Sequence, residues 1–203
     1  MCQADKDSDG AEARTAMAAK TTGGVDKGRY PRPTVSPEEA EWVWRTLATQ
    51  AMEEGAKPET VRLAVVVGLA RATGARYGDL LRCTVGSLDL GAGWVDVEHG
   101  KHRVVRRHGL DAGTVLVLRR WMDVRADLCA ELEGSPPEAL LLTVHHTHDN
   151  GVTVAAGLPI TRQGLVLSWR RFVYRTNAAH AGRRPPLPTR FEQLRRVWTA
   201  ARD

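Results

Sequence analysis

An α+β fold, mostly helical with a small antiparallel β-sheet, is what this sequence predicts, and two observations predict it. Apolar residues recur at helical spacing through most of the chain after residue 36, and one pair of alternating segments flanks a Gly-Lys turn. The length of 203 residues is enough for one hydrophobic core and too short for two sizeable ones. With 42% hydrophobic and 26% charged residues, the chain as a whole is neither disordered nor fibrous.

Residues 1 to 35 are rich in Asp, Lys, Gly, Ser, Thr and Pro without an apolar period, and are expected to form a disordered tail. Order is expected from Ser36-Pro37-Glu38-Glu39, where Ser caps, Pro fits the first helical position and Glu39 closes a capping box. Ala40, Val43, Trp44, Leu47 and Ala51 make the apolar stripe of that first helix, which Gly55 ends. After Pro58, Val61, Ala64, Val65, Gly68, Leu69 and Ala72 make a second stripe that stops at Thr73-Gly74.

A short third helix is expected from Arg76 through Leu80 and Leu81, broken by Gly86. Trp94 to Glu98 and Arg103 to Arg107 alternate about Gly100-Lys101, the pattern of a β-hairpin. Following Asp111, a long helix is expected to turn Val115, Leu118, Met122, Leu128, Cys129 and Leu132 inward, and Gly134 to Pro137 end it. Leu140 to Val144 reads as a short buried strand, and His145 to Gly157 as a loop. Thr161 then caps a helix bearing Leu165, Val166, Trp169, Phe172 and Val173. Beyond a Gly- and Pro-rich link, the last helix opens with Thr189, expected to form a capping box with Glu192, and buries Phe191, Leu194, Trp198 and Ala201.

Charge is distributed unevenly along this frame. The chain carries a net +5, and its 29 cations are overwhelmingly Arg. Residues 161 to 203 account for +8, leaving −3 for the rest. An Arg-rich surface displaces counterions from a polyphosphate, so nucleic acid is one partner to expect, and a solvated helix face is the other reading. No apolar run is long enough for a membrane span, no secretory signal opens the chain, and three separated cysteines suit a reducing cytoplasm. His145, His146, His148 and Asp149 cluster in sequence, but on a loop without fixed geometry they are expected to be solvated rather than to hold a metal. No cofactor is expected.

Thr73-Gly74-Ala75-Arg76-Tyr77-Gly78-Asp79-Leu80-Leu81, followed by Ser87-Leu88-Asp89-Leu90, a hairpin with Lys at its turn, two further helices and Leu194-Arg195, resembles the catalytic domain of the tyrosine recombinase, or phage integrase, family over residues 36–203. In that family a Tyr hydroxyl attacks a DNA phosphodiester, two Arg forks stabilise the charge on the non-bridging oxygens, and a Lys protonates the leaving 5′ oxygen. The resemblance implies that Arg76 and Arg195 are the forks and Lys101 the acid, with Asp79 the supporting carboxylate. The family's Lys often lies one or two positions nearer the first strand, where Glu98 and His99 stand. Lys101 is also the only Lys after Lys57, and a desolvated Lys can give up its proton where Arg cannot.

Several positions depart from the family pattern. Ala75 replaces a Leu, and Glu192 stands where the family has His or Lys. None of Tyr30, Tyr77 and Tyr174 occupies the nucleophile's place, and Trp169, Phe172 and Trp198 are expected in the core rather than stacked on bases. The chain is therefore expected to be an integrase-like domain that stops before the nucleophile, binds duplex DNA through Arg162, Arg170, Arg171, Arg175 and Arg196, and does not cleave it alone. The alternative is a regulatory module that pairs with a full-length recombinase or a second copy of itself, without DNA chemistry.

Overall fold

Each helix begins where the local chemistry permits it. The computed structural model describes residues 35–149 and 152–200; the tail expected over residues 1–35 lies, save for Val35, outside them. Helix α1 (Pro37–Met52) opens with the expected capping box: Glu39 N donates to Ser36 Oγ at 3.2 Å, and Ser36 N donates to Glu39 Oε2 at 2.9 Å. Helix α2 (Pro58–Thr73) starts with its Pro in the first turn and ends on Gly74, whose φ of 69° is the left-handed conformation that Gly adopts without strain. Asp111 caps α4 (Ala112–Ala130) and Thr161 caps α5 (Arg162–Ala179), each side chain accepting the amide three residues on.

Helix α2 is more than the half-buried stripe its periodicity suggests. Every residue from Val61 to Ala70 is buried, because α1, α4, α5 and the last helix, α6 (Phe191–Ala200), all pack on it. Where α1 packs on α2, a β-carbon on Gly68 would fall 2.8 Å from the buried Trp44 ring, so Gly favours that packing.

The strands form two sheets. Leu88–Asp89 (β1), Trp94–His99 (β2) and Val104–Gly109 (β3) make an antiparallel sheet in the order β1-β2-β3, with Val97 opposite Arg106 and His99 opposite Val104. Val95 and Val97 face the core from β2, while β3 is mostly exposed. The second sheet lies in the segment expected to be a loop: Thr147–Asp149 (β4) pairs with Val152–Val154 (β5).

Two further expectations are corrected. Leu140, Leu141, Leu142 and Val144 are buried, but the segment does not form a strand; it makes one isolated bridge, Leu142 with Pro159, next to that of Ala139 with Thr84. Helix α4 is rotated from the expected face, so that Thr114, Val117, Leu118, Trp121, Val124 and Arg125 are buried while Val115, Met122, Leu128, Cys129 and Leu132 are half-buried. One edge of the extended segment pairs with residues 157–160, Ile160 N donating to Leu141 O at 3.0 Å and Gly157 N to Thr143 O at 2.9 Å, while α4 supplies donors to other carbonyls: Trp121 Nε1 to Leu140 O at 2.9 Å, and the Arg125 guanidinium to the carbonyls of Ala139 and Pro137.

The half-buried end of α4 closes over Gly157, which has φ 90°. A β-carbon there would sit 2.7 Å from the Leu128 carbonyl oxygen and 3.0 Å from Leu132 Cδ1. Gly157→Ala is therefore expected to destabilise the protein by about 2–4 kcal/mol, read as a lower urea midpoint at unchanged slope.

Candidate functional site

The chain from Thr73 to Asp79 is a turn held by its own side chains. Thr73 Oγ1 donates to Leu69 O at 2.7 Å and accepts from Ala75 N at 3.1 Å, Gly74 takes the left-handed step, and Ala75 is buried. Arg76 then leaves the core in an extended conformation, its amide donating to Asp79 Oδ2 at 3.0 Å as α3 (Tyr77–Leu80) begins. Ala75 is fully buried, whereas the Arg76 side chain is exposed to solvent.

Asp79 also reaches the hairpin. Its Oδ1 accepts Arg82 Nη2 at 2.8 Å and the amide of Gly100, the first turn residue, at 3.2 Å. Arg82 strengthens the link by donating to Gly78 O and Glu98 O, both at 2.8 Å. Lys101 is thus held at a turn pinned to α3. Sequence reasoning missed Arg82, since nothing in its local pattern distinguishes it from the many other arginines. Beneath the turn, His99 Nε2 and His108 Nε2 lie 2.9 Å apart, and burial pushes the His99 pKa down against the opposing pull of Asp79.

Burial by itself would raise the Asp79 pKa, but the amides of Arg76 and Gly100 and the Arg82 guanidinium hold it below the ordinary carboxylate value. A group with a depressed folded-state pKa contributes stability above its unfolded pKa of about 3.9 and loses it as pH falls further. Asp79→Asn is expected to lower the unfolding midpoint at pH 7 and to narrow the difference between pH 7 and pH 3. An unchanged pH 7 to pH 3 difference in urea titrations would show that Asp79 makes no such contribution.

Arg195 lies against the same turn from the far end of the chain. It is buried, and its Nη1 donates to Gly74 O at 2.7 Å. Its Nε and Nη2 donate to Glu192 Oε2 and Oε1 at 2.8 and 2.5 Å. The fork edge that would clasp a phosphate is thus closed by a carboxylate. The Arg195 fork, the foremost influence, together with Arg76 and Arg196 holds Glu192 below its usual pKa against partial burial, so it stays ionised. This corrects the expected capping box: α6 begins at Phe191, and both Glu192 oxygens go to Arg195.

Arg76, Asp79, Lys101 and Glu192 border one groove of about 810 Å³, to which α5 contributes Arg162 and Arg170 and α6 contributes Arg196. Arg190, which sequence reasoning left out, lines it too. The five arginines grouped by charge are therefore split: Arg171 and Arg175 lie on another face of α5, where Arg175 approaches Glu59 at 3.7 Å. Adjacent positions 170 and 171 point about 100° apart on a helix, which a charge sum does not register.

Trp169, Phe172 and Trp198 are buried, as expected. Tyr77 stacks on Phe191 with ring centroids 4.7 Å apart, and its hydroxyl is buried without a hydrogen-bond partner among the described residues. Burial pushes its pKa up, away from the phenolate a nucleophile needs. Tyr174 is exposed on α5, and Tyr30 lies outside the described residues. His145 binds Glu59 at 2.5 Å. The side chains of His148 and Asp149 lie outside the described set, and among the described residues no group of three or more His, Cys, Asp or Glu is placed to hold a metal ion. Nor, among them, is any helix long and apolar enough to cross a membrane.

The model of the phage integrase family matches residues 43–201. No curated protein matches the chain. Among solved structures, XerA recombinase superposes with a TM-score of 0.53 at 18% identity, over 84% of this chain and 50% of that one. The XerH site-specific recombinase, bound to its difH substrate in a pre-cleavage complex, gives 0.54 at 20% identity, over 83% of this chain and 42% of that one. The Tn1549 transposon integrase in complex with circular intermediate DNA gives 0.51 at 16%, over 84% and 52%. The likeness is one of fold, and the chain spans about half the length of the structures it matches.

Proposed function

This chain belongs to the phage integrase family, and from that premise we propose that it binds duplex DNA in the groove between α3, the hairpin turn, α5 and α6, and that it does not cleave the strand by itself. The observation that carries the reading is the meeting in one groove of Arg76, Lys101, Arg162, Arg170 and Arg196, drawn from four separate parts of the chain. Arg76 takes one non-bridging oxygen of a backbone phosphate, and Arg195 takes the other once Glu192 gives it up. Lys101, which lines the same groove, and the remaining arginines hold neighbouring phosphates. Tyr77, buried against Phe191, supports the absence of strand cleavage.

Gel-shift titrations on duplex DNA test this. Affinity is expected to fall steeply with salt, and Arg162→Ala and Arg170→Ala are each expected to weaken binding and reduce the salt slope by about 1. No affinity even at low salt would refute DNA binding, and a covalent protein–DNA adduct would refute the inactive reading. The closed Arg195 fork favours one second reading, a partner-binding module without DNA chemistry. It would be supported if DNA binding were absent and a recombinase or a second copy of the chain were bound instead.

A further inference from the structure

A second cavity, of about 250 Å³, lies between α1, α2 and α5, on the face of α5 turned away from the groove. Arg62 stands in its wall, only 5% exposed. Its Nη1 donates to Leu142 O at 2.8 Å and its Nη2 to Ser168 Oγ at 2.9 Å, both neutral acceptors. Its Nε is buried without a hydrogen-bond partner among the described residues. A buried guanidinium whose hydrogen bonds go only to neutral acceptors, with no carboxylate in contact, is a costly arrangement that a nearby anion offsets.

The neighbouring charges deepen the deficit. Arg171 lines the same cavity, close enough to join burial in pushing the Arg62 pKa down to about 10, with Glu59 alone opposing. Glu59 is already engaged by His145 at 2.5 Å and approached by Arg175 at 3.7 Å. One committed carboxylate therefore faces three arginines. The rest of the wall includes Leu47, Leu63 and Phe172, and a cavity of about 150 Å³ already accommodates a benzene ring.

We propose that this cavity is a binding site for a small organic anion, its carboxylate or phosphate head against Arg62 and Arg171 and a flat apolar body against Leu47, Leu63 and Phe172. It is independent of the groove and stands or falls separately from DNA binding.

Calorimetric titration of the whole chain with benzoate, phenyl phosphate and inorganic phosphate, at constant ionic strength, tests it. The expected result is saturable 1:1 binding of at least one aromatic anion, tighter than inorganic phosphate, and the better of the two identifies the head group. Arg171→Ala is expected to weaken that binding at least tenfold, and Arg162→Ala/Arg170→Ala in the groove to leave it unchanged. Arg62→Met is expected to abolish it, and should that buried variant not fold, the exposed Arg171 decides. Failure of both aromatic anions to bind would overturn the proposal, as would inorganic phosphate binding as tightly, an unaffected Arg171→Ala protein, or loss of binding in the groove variant.

Discussion

Glu192→Gln is expected to bind duplex DNA about tenfold more tightly than the unaltered chain, with a salt slope steeper by about 1. Glu192 puts a carboxylate at the edge of a groove that six arginines and Lys101 also line, and it closes the Nε–Nη2 edge of Arg195 at 2.8 and 2.5 Å. Glutamine keeps an acceptor for Arg195 but removes the charge that repels a phosphate and retains the guanidinium. The same change leaves Arg195, only 8% exposed, with the Gly74 carbonyl and an amide in place of an ion pair. The free protein is therefore expected to melt at lower temperature than the parent, while the increase in melting temperature on adding DNA grows. Equal affinity of the two proteins at every salt concentration would show that Glu192 does not compete with phosphate for Arg195.

Trp121→Ala is expected to lower stability by about 3–5 kcal/mol, the largest effect of any single truncation in α4. The indole is fully buried, and among the described residues it alone donates to the Leu140 carbonyl, so the substitution opens a cavity and orphans a buried acceptor together. Leu116→Ala, five residues earlier on the exposed side, is expected to change stability by less than about 0.5 kcal/mol. Urea denaturation of the two variants side by side would check the contrast. Comparable losses would mean that the extended segment does not depend on the indole.

These two residues mark the limit of what the sequence discloses. Elements whose signals are local were legible: Ser36 and Glu39 cap α1, Thr161 caps α5, a long helix follows Asp111, and Gly100-Lys101 lies in the hairpin turn. The turn from Thr73 to Asp79 was legible too, because each residue serves a neighbour within a few positions. The rotation of α4 was not. Val115, Val117 and Leu118 allow more than one apolar face, and the choice is made by distant carbonyls at Pro137, Ala139 and Leu140. Glu192 fitted a local cap with Thr189, yet Arg195, one helical turn on, holds it more strongly through two charge-assisted bonds. The Arg171 and Arg175 side of α5 likewise emerged only in three dimensions, since a run of like charges carries no direction.

The bond from the Gly100 amide to Asp79 sets where a neighbouring charge can go. With the backbone of the turn anchored, the Lys101 ammonium can move only at the end of its own side chain, within about 6 Å of a fixed α-carbon. One ammonium confined to a sphere of that radius is present at roughly 2 M, against the millimolar values typical of a short flexible linker. Cutting the tether leaves the number of charges unchanged but dilutes this one across every conformation the hairpin tip can reach.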